Sequence, residues 1–261
     1  MNGATGGSTR RRVFAANWKM NHGPAAARAF TRDFVARYRS DADSDVIFFP
    51  PALSLAAAIE GAGEAPPFRF GVQNIYSADK GAFTGENSAP IARDAGARLT
   101  LVGHSERRHV FGETNEQTAA KCAAAERAGL TPLLCVGETL EQREGGETES
   151  VVSSQLRVGL SDLKDPLLTT SVIAYEPVWA IGTGKNATPE DVADIHTVLR
   201  AVLAELLGDA AEGVRILYGG SVTPGNVSRL LMAANVDGVL VGGASLEVGS
   251  WLSICSASLN L

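Results

Sequence analysis

The sequence predicts an α/β fold, a single (β/α)8 barrel of eight parallel strands. Three observations carry this expectation. Eight short apolar runs, enriched in β-branched and aromatic residues, alternate with longer helical patterns from end to end. No linker, composition break, low-complexity segment or fixed-length repeat interrupts them. The alternation alone fits a doubly wound sheet as well as a closed barrel. The third observation favours the barrel: residues suited to chemistry follow the first, fourth, sixth, seventh and eighth runs, and a barrel gathers such residues at the carboxyl ends of many strands. A length of 261 residues is ordinary for one such domain.

Taken in order, residues 1–11 read as a flexible, Gly/Thr/Ser-rich extension, and residues 12–261 as the barrel. The first strand is expected at 13–17. The helix after it places Ala27, Phe30, Phe34 and Tyr38 on one face, with Arg28, Arg32 and Arg39 off it. Further strands are expected at 46–49, 68–73, 99–103, 133–136 and 172–175. After the fourth, Ser105 is a candidate N-cap. After the sixth, Thr188 caps a helix with Pro189 at its first position and Asp191 three residues beyond the cap. Val192, Ile195, Leu199, Val202, Leu203 and Leu206 form its apolar face, and Gly208 stops it. The seventh strand is expected at 215–218, where Thr223-Pro224 repeats the cap-then-proline start, and the eighth at 239–241. The last helix is weakly marked, and the Ser-rich tail says little.

Composition narrows the function. With 23 Lys+Arg against 29 Asp+Glu, the chain carries a net charge of −6, so it lacks the basic excess that nucleic-acid binding needs. A hydrophobic content of 45% excludes a disordered chain. No apolar run is long enough to serve as a signal peptide or to span a membrane; the nearest, around residues 46–59, is broken by Pro50-Pro51. Cys122, Cys135 and Cys255 are odd in number and widely spaced, which suits free thiols in a reducing cytoplasmic setting.

Several motif matches fail. Gly182-Thr183-Gly184-Lys185 lacks the third glycine of a dinucleotide fingerprint and the Ser/Thr of a phosphate-binding P-loop. Gly103-His104-Ser105-Glu106-Arg107 ends in arginine where a nucleophile elbow needs glycine. His104 and His109 lack zinc-ligand spacing, so no metal and no cofactor is expected.

What remains lies at the strand ends: Asn17-Trp18-Lys19, the run Gly103 to Arg108, Tyr175-Glu176-Pro177, Gly219-Gly220-Ser221 and Gly242-Gly243. Glycine pairs after the last two strands suit a phosphate cradle of backbone N–H groups. Pro177 restricts Glu176 to extended geometry, aiming it along the strand rather than into a helix. Singly, Glu176, His104 and Lys19 would pass for a loop carboxylate, a structural histidine and a surface cation. Their joint occurrence in barrel order argues for a site.

From Val13 onward these motifs together resemble the triosephosphate isomerase family. The resemblance rests on Asn17-Trp18-Lys19-Met20-Asn21, Gln73-Asn74, Gly81-Ala82-Phe83-Thr84-Gly85-Glu86, the run from Gly103 to Arg108, Tyr175 to Lys185, Tyr218 to Ser221 and Leu240 to Ser245. It implies interconversion of dihydroxyacetone phosphate and D-glyceraldehyde 3-phosphate through an enediolate, a step of glycolysis and gluconeogenesis. By it, Glu176 is the base, neutral His104 polarises the carbonyl, Lys19 and Asn17 stabilise the oxyanion, and Glu106 pairs with Lys19. Gly182, Ser221, Gly242 and Gly243 would bind phosphate.

The resemblance further implies a lid made of Pro177, Val178, Trp179, Ala180, Ile181, Gly182, Thr183, Gly184, Lys185, Asn186 and Ala187. It implies a homodimer in which the turn from Gly81 to Glu86 enters the neighbour, with Thr84, Gly85, Glu86 and Arg107 at the interface. Arg107 and Glu86 stand at the family's structural ion-pair positions, and Cys135 stands near the base in a packing role. The competing readings are a phosphate-binding Schiff-base aldolase using Lys19, and a non-catalytic scaffold.

Overall fold

The computed structural model describes residues 10–164, 171–181 and 187–257. Its strands are β1 (Arg12–Asn17), β2 (Ser44–Phe49), β3 (Arg69–Val72), β4 (Leu99–Val102), β5 (Thr131–Val136), β6 (Val172–Tyr175), β7 (Arg215–Tyr218) and β8 (Gly238–Val241). Each pairs in parallel with the next, and β8 returns to β1 through Val13↔Gly238 to Ala16↔Val241, so the sheet closes. Closure removes the edges that a doubly wound sheet would leave. All eight strands fall within two residues of the expected bounds.

The strand period of two divides the side chains into two layers. Val13, Ala15, Ile47, Phe49, Leu99, Leu101, Leu133, Cys135, Val172, Ala174, Leu217 and Leu240 fill the barrel interior. Their alternates face the helices α1 (Pro24–Arg37), α2 (Leu55–Ala62), α3 (Ala89–Asp94), α4 (Ser105–His109), α5 (Asn115–Arg127), α6 (Leu140–Glu144), α7 (Thr148–Leu160), α8 (Pro189–Leu207), α9 (Val227–Leu231) and α10 (Val248–Cys255). Between β1–β3 and helices α1 and α10, the rings of Trp18, Phe30, Phe34, Phe68 and Trp251 meet Phe48 edge to face, with centroids 5.1–6.1 Å apart. This seam holds the outer layer against the strands that end at the site.

The expected cap of α8 is present as a full capping box between Thr188 and Asp191. Its apolar face is narrower than the spacing suggested. Leu206 is exposed, and His196 and Arg200 are buried in its place. Arg200 is accommodated because its guanidinium donates to the carbonyls of Ala211 and Val214 and to Asp237.

Two other local expectations are corrected. The helix after β7 does not start at Thr223-Pro224. Asn226 accepts the Thr223 N–H and donates to the Ser221 carbonyl, so residues 224–226 form a turn and α9 begins after it. The cap of α4 is His104, not Ser105: His104 Nδ1 accepts the Glu106 N–H at 3.2 Å. At the N-terminus, residues 1–9 lie outside the described residues, but Arg10 and Arg11 are anchored. Arg10 pairs with Asp237 and Glu212, and Arg11 donates to the Ser44 carbonyl and faces Asp45.

Candidate active site

The carboxyl ends of the strands open on a cavity of about 340 Å³. Asn17, Lys19, His104, Glu176, Ser221, Gly242 and Gly243 all line it. Gly219, Gly220, Ile181 and Leu240 complete the part of the wall used below. Glu106 does not line it but reaches its mouth through Lys19. Gly182, Thr183, Gly184, Lys185 and Asn186, expected in the lid and, for Gly182, at the phosphate, lie outside the described residues.

Lys19 follows β1 at φ +50°, a left-handed conformation that costs a side-chain-bearing residue about 1–3 kcal/mol. Three contacts hold it there. Its N–H donates to Asn17 Oδ1 at 3.0 Å, its carbonyl accepts from Gln73 Nε2 at 2.8 Å, and its Nζ meets Glu106 Oε1 at 2.7 Å. The same Gln73 amide also reaches the Phe49 carbonyl, fastening the turn after β1 to the end of β2. With its oxygen committed to Lys19, Asn17 is left with its Nδ2 donor for a ligand.

Glu176 follows β6 and is only 2% exposed. Its Oε1 lies 2.9 Å from His104 Nε2, and its Oε2 accepts the Ser105 N–H at 2.8 Å. Ser105 is the first residue of α4, so its amide is one of the unpaired donors of a helix start, and it points at the carboxylate. Burial pushes the Glu176 carboxyl up, but His104, the Ser105 amide and Lys19 together hold it below the ordinary carboxylate range. A buried carboxylate that stays ionised is what a base needs.

Burial lowers the proton affinity of His104, and the Glu176 carboxylate raises it by more. A second ring proton would have to sit on Nδ1, which already faces the Glu106 N–H. With Nδ1 accepting the Glu106 N–H, the proton of the neutral ring form sits on Nε2, directed at Glu176. Cys135 stands beside the same carboxylate. Burial first, and the charge of Glu176 second, push its thiol well above the usual range, so it packs there as a neutral group.

The glycine pairs are required for two different reasons. A Cβ on Gly219 would stand 2.8 Å from Glu176 Cγ, and one on Gly220 would stand 2.2 Å from the Tyr218 hydroxyl. Those two glycines make room for the protein itself. Among the described residues, a Cβ on Gly243 would meet nothing within 4 Å, so at that position the backbone faces open space beside the cavity, as a cradle for an anion requires.

The described part of the expected lid is ordered around Glu138, a residue outside the motifs. Val178 to Ala180 form a short 3-10 turn, with Ala180 buried, and Ile181 edges the cavity. Trp179 Nε1 donates to Glu138 Oε1 at 2.8 Å, the Tyr175 hydroxyl donates to the same oxygen, and the Val178 N–H donates to the Glu138 carbonyl. Glu138 is fully buried. Sequence reasoning missed it, together with Ser105 as a donor, Gln73 as a support and Arg143. The available signal was position: Glu138 stands two residues past β5, as Lys19 does past β1.

Thr84, Gly85 and Glu86 are exposed on a turn where the Phe83 ring packs tilted against Tyr76, with centroids 4.4 Å apart. Arg107 pairs within the chain with Glu113 and lies over the Phe111 ring. Among the described residues, no group of His, Cys, Asp and Glu side chains is arranged to hold a metal ion.

Comparison with known proteins agrees with this arrangement. Residues 12–258 match the model of a family described as triosephosphate isomerase. A protein named triosephosphate isomerase from Bdellovibrio bacteriovorus is 47% identical over 94% of this chain and 99% of its own length. One of the same name from Endomicrobium trichonymphae is 44% identical over 95% of this chain and 99% of its own. The crystal structure of triosephosphate isomerase from Bartonella henselae superposes with a TM-score of 0.86 at 38% identity, covering 95% of this chain and 99% of that one. With a closed eight-stranded barrel, a carboxylate and an imidazole meeting at its mouth, and near-complete coverage of these relatives, the chain belongs to the triosephosphate isomerase family.

Proposed function

We propose that Glu176, His104, Lys19 and Asn17 carry out the aldose–ketose isomerisation that family membership assigns to this chain, between dihydroxyacetone phosphate and D-glyceraldehyde 3-phosphate. The observation that carries the assignment of roles is the 2.9 Å contact between Glu176 Oε1 and His104 Nε2 inside the cavity. When the substrate carbonyl takes the Nε2–H, His104 polarises it and Oε1 loses its donor. Glu176 is then a desolvated carboxylate able to remove the proton from the carbon next to the carbonyl. Lys19 and the Asn17 amide line the same cavity and would stabilise the oxyanion as its charge develops. Glu106 keeps Lys19 directed into the mouth. Phosphate would lie against the open backbone at Gly243, beside Gly242, Ser221 and the Lys19 side chain, with Gly182 approaching from the lid.

Glu176→Gln removes the basic oxygen and keeps the size. In a coupled assay with either triose phosphate, turnover should fall by about 10²–10⁴-fold, with the folded state unchanged by circular dichroism. Turnover near that of the unmodified chain would overturn the assignment of the base. A Schiff-base role for Lys19 is disfavoured, because its Nζ is engaged with the Glu106 carboxylate at 2.7 Å.

The same reading includes a homodimer. Met20 is 96% exposed and Leu53 90%, and Phe83, Ile91, Val110 and Phe111 are exposed as well. All follow the carboxyl ends of β1 to β4, four neighbouring strands, so they share one arc of the molecule. Six of the nine large apolar side chains exposed among the described residues share that arc, which favours a partner surface there. The Gly81 to Glu86 turn, with Thr84, Gly85 and Glu86, lies within that arc, and Arg107 flanks it through Phe111. No helix among the described residues is long and apolar enough to cross a membrane. Three buried free thiols support work in the reducing cytoplasm.

A further inference from the structure

We propose that Arg143 is a positioning residue for this site, tying the segment that leaves the base to the first turn of α8. The inference rests on the reading of Glu176 as the base, because the tied segment begins at the next residue.

Arg143 lies on α6, outside the cavity, and touches three partners. Its guanidinium stacks 4.5 Å from the centroid of the Trp179 ring. Its Nη2 meets Asp191 Oδ1 at 2.6 Å, and its Nη1 lies 3.6 Å from Glu138 Oε1. Each partner is fastened a second time. Trp179 donates to Glu138, whose carbonyl accepts the Val178 N–H. Asp191 Oδ2 accepts from both the backbone N–H and the hydroxyl of Thr188, closing the capping box of α8. One planar cation therefore joins Trp179, three residues after Glu176, to the cap at which the chain re-enters a helix. Glu138 is fully buried, its other donors among the described residues are neutral, and its Oε2 has no hydrogen-bond partner among them. The nearby guanidinium is its compensating charge, and a buried carboxylate deprived of one is strongly disfavoured.

A half-exposed ion pair alone contributes little to stability. The value of Arg143 lies in combining a stack, an ion pair and a compensating charge at the two ends of one stretch of chain. If those ends loosen, substrate binding must order them, and the cost falls on affinity more than on the chemical step.

Arg143→Met keeps length and loses charge. Arg143→Lys keeps the charge for Asp191 but loses the planar group over Trp179. Asp191→Asn keeps an acceptor for Thr188 but removes the ion pair. Arg143→Met should raise KM for triose phosphate about tenfold while leaving kcat within about threefold, with Arg143→Lys intermediate and Asp191→Asn shifted in the same direction. In protein labelled with 5-fluorotryptophan, the 19F line of Trp179, identified by its loss in Trp179→Phe, should move in Arg143→Met. The lines of the fully buried Trp18 and Trp251 should stay. An unchanged KM, a loss confined to kcat, or an unmoved Trp179 line would overturn the proposal. Should Arg143→Met fail to fold, Asp191→Asn decides by the same two readouts. The fluorine shift does not depend on turnover, so failure of Glu176 as the base would be told apart from failure of the tie.

Discussion

Glu176 keeps its charge in a nearly dry position because two donors, a side chain from the end of β4 and an amide from the start of α4, meet it, and a cation from the end of β1 acts on it through charge. Its own position depends on an atom that is missing. Gly219 has no Cβ, and one placed there would stand 2.8 Å from Glu176 Cγ and 3.2 Å from the Tyr175 carbonyl. Gly219→Ala should therefore shift the carboxylate and reduce kcat/KM by about tenfold or more, since displacements near 1 Å are costly in a preorganised site. The loss of stability should stay near 1–3 kcal/mol by urea unfolding. An alanine variant with unchanged kinetics would show that the carboxylate tolerates the added methyl group. The glycine pair was visible in the sequence as a cradle signature. That half of it makes room for Glu176 rather than for a ligand depends on which atoms lie behind it, and local pattern does not contain that.

At the scale of elements, α8 shows how far pattern reading reaches. Its start was legible in full, because capping depends on residues three apart in sequence: Thr188, Pro189 and Asp191. Its buried face was not, because His196 and Arg200 are acceptable inside only through partners from distant segments. The carbonyl of Asn235 meets His196 Nδ1 at 2.9 Å, and Asp237 meets Arg200. Burial pushes the His196 imidazole down to about 4, against the opposing hydrogen bond. The unfolded chain, with an ordinary histidine near 6.5, then binds more protons than the folded one between those values. Stability is full above about pH 6.5 and falls as pH drops toward 4, by roughly 3 kcal/mol from this residue alone. Urea midpoints measured at fixed protein concentration from pH 7 to 4 should show this slope, and His196→Gln should flatten it. An equal slope in the variant would assign the acid loss to other groups.

For the whole molecule, the open question is assembly. A single chain of 27.2 kDa that leaves Met20, Leu53, Phe83 and Phe111 to solvent along one arc should sediment at about twice its chain mass at micromolar concentration. Phe83→Asp combined with Phe111→Asp should shift it to the monomer, because a charge buried opposite an apolar partner is not tolerated. A monomer before any substitution would refute the dimer. The barrel itself was legible because its evidence is periodic and local: eight runs, each followed by a helix. Closure was inferred indirectly, from functional residues at both the first and the last strands, and the register of β8 on β1 bears it out.

The sequence by itself determined the strands, the capped start of α8, the family and the residues that meet in the cavity, because these depend on side-chain period, short-range capping and motifs that survive at fixed positions. Only the tertiary structure decided that Ser105 donates its amide to Glu176, that Gln73 holds Lys19 in a strained conformation, and that Glu138 and Arg143 fasten Trp179. Each of these joins residues from different strand ends. A hydrogen bond or ion pair forms only when two groups come within about 3 Å, and it is the parallel strand order of the barrel that sets these strand ends side by side.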